Sequence, residues 1–69
     1  MTRDELALAL WREQLARGLG DPGEVADEER LDDWWSNRSE PVETYDRAAA
    51  GDVAALVAVR TEAGLPVVC

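Results

Sequence analysis

Sixty-nine residues, 46% of them hydrophobic and three of them tryptophan, describe one small folded domain rather than a disordered acidic tail. Fifteen acids face seven arginines, with no lysine and no histidine, and the one cysteine is the last residue. An internal disulfide and a zinc site of the usual His/Cys type are therefore excluded. Stability has to come from helix packing and capping, with self-association as a further source.

In chain order, Thr2-Arg3-Asp4-Glu5 has the form of a capping box, in which the threonine hydroxyl and the glutamate carboxylate satisfy each other's backbone amides. It predicts a helix from residue 3 to about residue 17. Leu8, Trp11, Leu15 and Leu19 form its buried stripe, widened by Ala7 and Leu10. Gly18, Gly20 and Pro22 end it. Asp21-Pro22-Gly23-Glu24 has the shape of a second start, with Asp21 as cap and Pro22 at the first helical position, and predicts a helix over 22–37. On that helix Leu31, Trp34 and Trp35 share one face. Glu24, Glu28 and Asp32 form a row at i, i+4, i+8, with Glu29 and Asp33 beside it.

Ser39-Glu40-Pro41 reads as a break and a restart. A third helix over 41–50 is expected, capped by Ser39 or Glu40, with Val42, Tyr45 and Ala49 facing inward. Gly51 ends it, and Asp52 caps a fourth helix over 53–63. Val53, Leu56, Val57 and Arg60 follow its stripe, with Val59 and Ala63 alongside. Gly64 and Pro66 close that helix. Residues 65–69 are an apolar tail that packs back on the bundle or lies across a partner. The fold class expected is all-α, a single domain over 1–69 built from about four short helices.

Ala48-Ala49-Ala50-Gly51-Asp52-Val53-Ala54-Ala55-Leu56-Val57, followed by Glu62-Ala63-Gly64-Leu65-Pro66-Val67, resembles the helix-turn-helix half of an ankyrin repeat. The Thr-Pro-Leu-His start of that family is absent, with Glu43-Thr44-Tyr45-Asp46 in its place, and one copy is visible. The resemblance, over 44–67, implies a tight antiparallel helix pair. With a single copy it implies neither an array nor an array's binding surface.

The charge is confined to one region. Ten of the fifteen acids lie in the acidic segment 21–46 against Arg30 and Arg38, so the whole net charge of −8 sits there and the flanks cancel. Like charges at i, i+4 each cost a few tenths of a kcal/mol, which makes the row on the second helix locally unfavourable. One reading is a solvated face. The other is a surface shaped for a basic partner: carboxylates one turn apart repeat about every 6 Å, on the order of the phosphate spacing along a nucleic-acid strand. The contact is then assigned to Glu24, Glu28, Glu29, Asp32 and Asp33, with Glu40 and Glu43 secondary and Trp35 as an anchor. Trp34 and Trp35 point about 100° apart, so either both close the core or one sits at its rim. Scattered arginines, outnumbered two to one, argue against direct nucleic-acid binding.

Enzymatic chemistry lacks its usual means, since the neutral-pH base and the Schiff-base amine are both missing. No EF-hand pattern of alternating oxygens is present, and neither a metal nor a cofactor is expected. Cys69 has no identifiable base, and its role is structural or incidental. The N-terminus carries no apolar run with a cleavage site, and no stretch approaches a membrane span, so neither export nor a membrane is expected. In size, acidity and lack of catalytic side chains, the chain resembles small phage-encoded anti-CRISPR proteins that mimic DNA. That likeness of profile carries no residues over. It implies a non-enzymatic inhibitor in the cytoplasm of a bacterial host, acting on a basic nucleic-acid-binding protein or complex such as a CRISPR effector. The alternative is a helical adaptor or self-associating module that uses Trp34, Trp35 and the 65–68 tail, its acids serving solvation.

Overall fold

A computed structural model describes residues 1–67. Every regular element among them is helical: α1 (Arg3–Ala16), a 3-10 turn (Glu28–Arg30) that runs straight into α2 (Leu31–Ser36), α3 (Val42–Ala49) and α4 (Val53–Glu62). The all-α class with four short helices is what the molecule has. α1 packs on α3, α3 on α4, and α2 on α1, with the α3–α4 pair the most extensive.

Local chemistry accounts for most of the helix ends. Thr2 and Glu5 form the reciprocal capping box, with Glu5 N donating to Thr2 Oγ1 at 3.1 Å and Thr2 N to Glu5 Oε1 at 2.8 Å. Those bonds hold the Glu5 carboxyl below its usual range. Asp52 Oδ1 accepts from Ala55 N at 3.2 Å and caps α4. At its far end, Gly64 N donates to Thr61 O and Leu65 N to Arg60 O, which satisfies the last carbonyls with Gly64 in the left-handed region. The short link through Ala50, Gly51 and Asp52 turns the chain back, so α4 runs antiparallel to α3.

The second helix is much shorter than its acid pattern suggests. Asp21 and Glu24 do exchange bonds in the manner of a helix start, with Glu24 N to Asp21 O at 3.1 Å and Asp21 N to Glu24 Oε1 at 3.2 Å. Gly23 between them takes φ +84, outside the helical region, and the turn does not propagate. Regular structure restarts only at Asp27, whose carboxylate accepts from Glu29 N at 3.1 Å. Neither Ser39 nor Glu40 caps α3 through its side chain. Pro41 holds the cap position without a side-chain bond, and the amides of Ser39 and Glu40 donate instead to the distant carboxylate of Glu62.

The core gathers Leu6, Ala7, Leu10 and Trp11 of α1, Leu31 and Trp34, Tyr45 and Ala48, and Ala55, Val59, Ala63 and Leu65. On α1 the buried face is thus rotated from the expected stripe, leaving Leu8 and Leu15 half-buried and Leu19 exposed. α1 packs on both α3 and α2, and Leu6, Ala7, Leu10 and Trp11 are the residues it buries. On α3, Tyr45 and Ala48 are buried, while Val42 is exposed and Ala49 only half-buried. α4 is rotated from its expected stripe toward the flanking Val59 and Ala63. Ala55, Val59 and Ala63 face in, and Val53, Leu56 and Val57 face out. An apolar side chain at nearly every position leaves the inward face of α4 undetermined by pattern. Packing against α3 settles it, burying Ala55, Val59 and Ala63. Leu65 of the apolar tail packs back into the core, while Val68 and Cys69 lie outside the described residues.

One polar side chain ties three helices together. Gln14 Nε2 donates to Ala63 O at 2.9 Å, and Gln14 Oε1 accepts from Trp34 Nε1 at 3.1 Å. Gln14→Ala leaves a buried indole N–H and a helix-terminal carbonyl without these partners. The expected loss is about 1–3 kcal/mol, read as a lower denaturant midpoint with unchanged slope. A midpoint within error of the parent sinks that assignment.

Candidate functional site

The sequence-predicted contact residues part company in the fold. Glu28, Glu29, Asp32 and Asp33 stay together, all exposed on the continuous turn formed by the 3-10 segment and α2. Leu31 and Trp34, buried on the opposite side, hold that turn against the core. The division into an acidic and an aromatic side therefore holds over 28–36. The pairs Glu28/Asp32 and Glu29/Asp33 keep the one-turn spacing.

Glu24 leaves the row altogether. Its Oε2 accepts from Trp11 Nε1 at 2.6 Å while Oε1 accepts from Asp21 N, so the carboxylate serves as an internal partner for a buried indole. Gly20 lets the preceding loop lie against α1, since a side chain there would collide with Leu15. Glu40 is half-buried beside the Glu62 cluster, and Glu43 is exposed in the first turn of α3, on a different element from the acidic turn.

Trp35 is half-buried rather than projecting. Its ring meets Tyr45 edge-to-face at 4.7 Å and Trp34 at 5.2 Å, and the Arg3 guanidinium lies 5.9 Å from its centre. Those contacts make it part of the core wall. Trp34 is buried.

What makes the acidic turn distinctive is where the cations go. Among the described residues the ion pairs are Arg3–Asp46, Arg17–Glu13, Arg38–Glu62, Arg47–Asp52 and Arg60–Glu13. Of the ten acids between residues 21 and 46, only Asp46 is paired. Arg60 grips Glu13 through both terminal nitrogens at 2.9 Å and donates from Nε to Pro66 O at 2.8 Å. Arg38, from the acidic segment itself, stacks 4.4 Å from the centre of the Trp34 ring, with its Nε 3.9 Å from Glu62. That Nε is buried and has no hydrogen-bond partner. Stacking on the indole sets the guanidinium plane, and the ion pair is Coulombic rather than hydrogen-bonded.

Glu62 was not singled out by sequence reasoning, yet its carboxylate is the most heavily used in the molecule. It accepts from Ser39 N at 2.8 Å, from Glu40 N, and from the Tyr45 hydroxyl at 2.5 Å. Burial, and then that carboxylate, push the Tyr45 phenol well above its ordinary value. A signal was present: an acid in the last turn of a helix opposes the dipole and calls for a specific partner. Gln14 offered a fainter one, a polar residue three positions after Trp11 on a helix whose buried side it borders.

Beside the acidic turn, between α1 and α2, lies a cleft of about 320 Å³ bordered by Trp11, Gln14, Asp21, Glu24, Asp33 and Arg38. Its lining contains no hydroxyl, thiol or amine, and both indole N–H groups and the Gln14 amide are already bonded within the protein. Among the described residues no three carboxylates converge in a way that could hold a metal ion, and no helix is long and apolar enough to cross a membrane. No protein family, curated protein or solved structure matches the chain.

The Glu13 pairing carries a pH signature. Its carboxyl is held below the usual value of 4.5, first by the bond from Arg60 and then by Arg17. A depressed carboxyl contributes stability that is fully present above its unfolded value and lost as pH falls through the folded one. Glu13→Gln is therefore expected to flatten the fall in stability below about pH 4.5, with a residual slope from Glu5. Urea midpoints measured from neutral to acidic pH test this, and parallel curves for the two proteins contradict it.

Proposed function

We propose that this chain is a non-enzymatic inhibitor that docks its acidic turn onto the basic, nucleic-acid-binding surface of a partner protein, as a DNA mimic does. One observation carries the reading. Glu28, Glu29, Asp32 and Asp33 are all exposed, none is in an ion pair among the described residues, and the turn that bears them is anchored by Leu31 and Trp34.

Mutual repulsion of these groups opposes folding, and no internal cation relieves it except the nearby exposed Arg30. Such a surface gains most when an arginine- or lysine-rich groove supplies the missing charge. It also attracts that groove from a distance at low salt. The contact set is Glu28, Glu29, Asp32 and Asp33. Asp33 extends it toward the cleft, Glu43 is an outlying contributor, and Glu24 and Trp35 are left to the core. A CRISPR effector is one basic assembly this surface would suit.

A helical adaptor built on Trp34, Trp35 and the 65–68 tail loses much of its contact surface. Trp34 and Leu65 are buried and Trp35 is half-buried. Exposed apolar side chains remain on α4 as Val53, Leu56 and Val57, with Val67 after it, and singly elsewhere as Met1, Leu19, Val25 and Val42.

A tagged protein used to capture partners from bacterial lysate, released along a salt gradient, tests the proposal. A nucleic-acid-binding complex released at moderate salt is expected. The double reversal Glu28→Lys/Asp32→Lys should weaken its binding at least about tenfold, because close interfacial charge pairs are worth about 1.5 kcal/mol or more. Thermal melting should stay near the parent's. Capture that resists high salt, or that tolerates the double reversal, rules the acidic turn out.

A further inference from the structure

Residues 20–26, between the end of α1 and the 3-10 turn, are tied to the rest of the molecule through one carboxylate. Among the described residues their hydrogen bonds are the two that join Asp21 and Glu24 to each other and the one from Trp11 Nε1 to Glu24 Oε2 at 2.6 Å. Gly20 passes close to Leu15 and Ala26 is half-buried against the core, while Asp21, Pro22, Gly23 and Val25 are exposed. A segment with so few ties opens far more readily than the whole domain unfolds. Glu24 is its latch.

The same segment carries an unfinished helix. Asp21 and Glu24 already make the bonds of a helix start, and regular structure resumes at Glu28. No glycine or proline lies between Glu24 and Glu28. The interruption is Gly23 at φ +84, where an added side chain would meet nothing within 4 Å, so neighbouring atoms do not impose the break. Run on from Asp21 into α2, the helix would carry Glu24 one turn before Glu28 and two turns before Asp32.

The charge opposite the acids decides between the two arrangements. In the free protein a row of like charges one turn apart repels, and Glu24 gains by leaving it for the indole N–H. An arginine- or lysine-lined groove reverses that balance, because each carboxylate added to the row then meets a full positive charge, which the indole lacks. Trp11 borders the cleft beside this segment, so solvent takes the carboxylate's place when it leaves.

We propose that residues 20–26 are a two-state strap. In the free protein Glu24 latches it to Trp11; a basic partner draws Glu24 out, and the helix runs on from Asp21 into α2, so that Glu24 joins Glu28 and Asp32 in the contact. The proposal rests on the acidic turn being the docking surface for a basic protein, and it makes that surface one which the partner completes.

NMR spectra of the full chain, free and titrated with an oligo-arginine peptide at low salt, test it through the Cα shifts of residues 24–27 and the Trp11 indole N–H. With peptide, the shifts at 24–27 should move from non-helical to helical values as the indole resonance moves. Gly23→Ala disfavours the left-handed conformation and favours helix, which should shift the balance at least about tenfold. Helical shifts at 24–27 then appear without peptide, and the peptide binds about tenfold more tightly, since apparent affinity follows the population of the competent state. Glu24→Gln keeps an acceptor for the indole but carries no charge for the partner, so 24–27 should stay non-helical while Asp32 and Asp33 still respond. Peptide binding sensed at Asp32 and Asp33 with 24–27 unmoved in the parent overturns the strap and leaves the acidic turn standing; no response at either place removes both. A Gly23→Ala protein that stays non-helical there, or a Glu24→Gln protein that responds like the parent, also overturns the strap.

Discussion

The arrangement depends on one carboxylate in an electrostatically awkward position. Glu62 sits in the last turn of α4, where the helix dipole presents its negative end, a penalty of about 0.3–1 kcal/mol. Its partners outweigh that penalty: two backbone amides from the link before α3, the buried hydroxyl of Tyr45, and the stacked guanidinium of Arg38. Hydrogen bonds to a charged group contribute about 1.5–3 kcal/mol each. Because those partners lie between α2 and the middle of α3, this one side chain sets where α2 ends relative to α4. It also fixes the two amides of the link just before the α3 cap, Ser39 N and Glu40 N. Tyr45, its phenol raised by burial and by Glu62, stays a donor to the carboxylate.

The same carboxylate shapes the outer surface. By drawing Arg38 inward onto Trp34, Glu62 removes one of the two arginines of the acidic segment from the neighbourhood of its acids. Glu13 does likewise with Arg60 and Arg17, and Asp46 with Arg3. The flanking acids and arginines balance in number, and among the described residues Arg60 joins α4 to α1 through Glu13 while Arg3 joins α1 to α3 through Asp46. The exposed acids of the 28–33 turn have little left to neutralise them. The negative face is thus a consequence of how the interior is fastened as much as of composition.

This division explains which features were legible in the sequence. The Thr2–Glu5 capping box, the Asp52 cap, the glycine stops and the α3–α4 hairpin are local, and each is written in adjacent residues. The 22–37 helix failed at Gly23 because a sound start signal is followed by a residue free to leave the helical region, and Glu24 found a better use on Trp11. The orientation of α4 could not be read at all. Its apolar residues occur on every side, and packing on α3 makes Ala55, Val59 and Ala63 the inward set. Gln14 and Glu62 act over 20 or more residues, through partners no periodicity links to them. Of the acidic site, the one-turn pairs 28/32 and 29/33 were legible because the aromatic side opposite them fixes their face.

Two surfaces of opposite character therefore emerge on elements that share a core but hardly touch. The acidic turn rests on α1, through Trp34 and its bond to Gln14, and an apolar surface belongs to α4, whose inner face rests on α3. Packing Ala55, Val59 and Ala63 inward leaves Val53, Leu56 and Val57 of α4 outside. In a chain near the lower size limit for a self-sufficient core, that exchange gives up buried area within one copy.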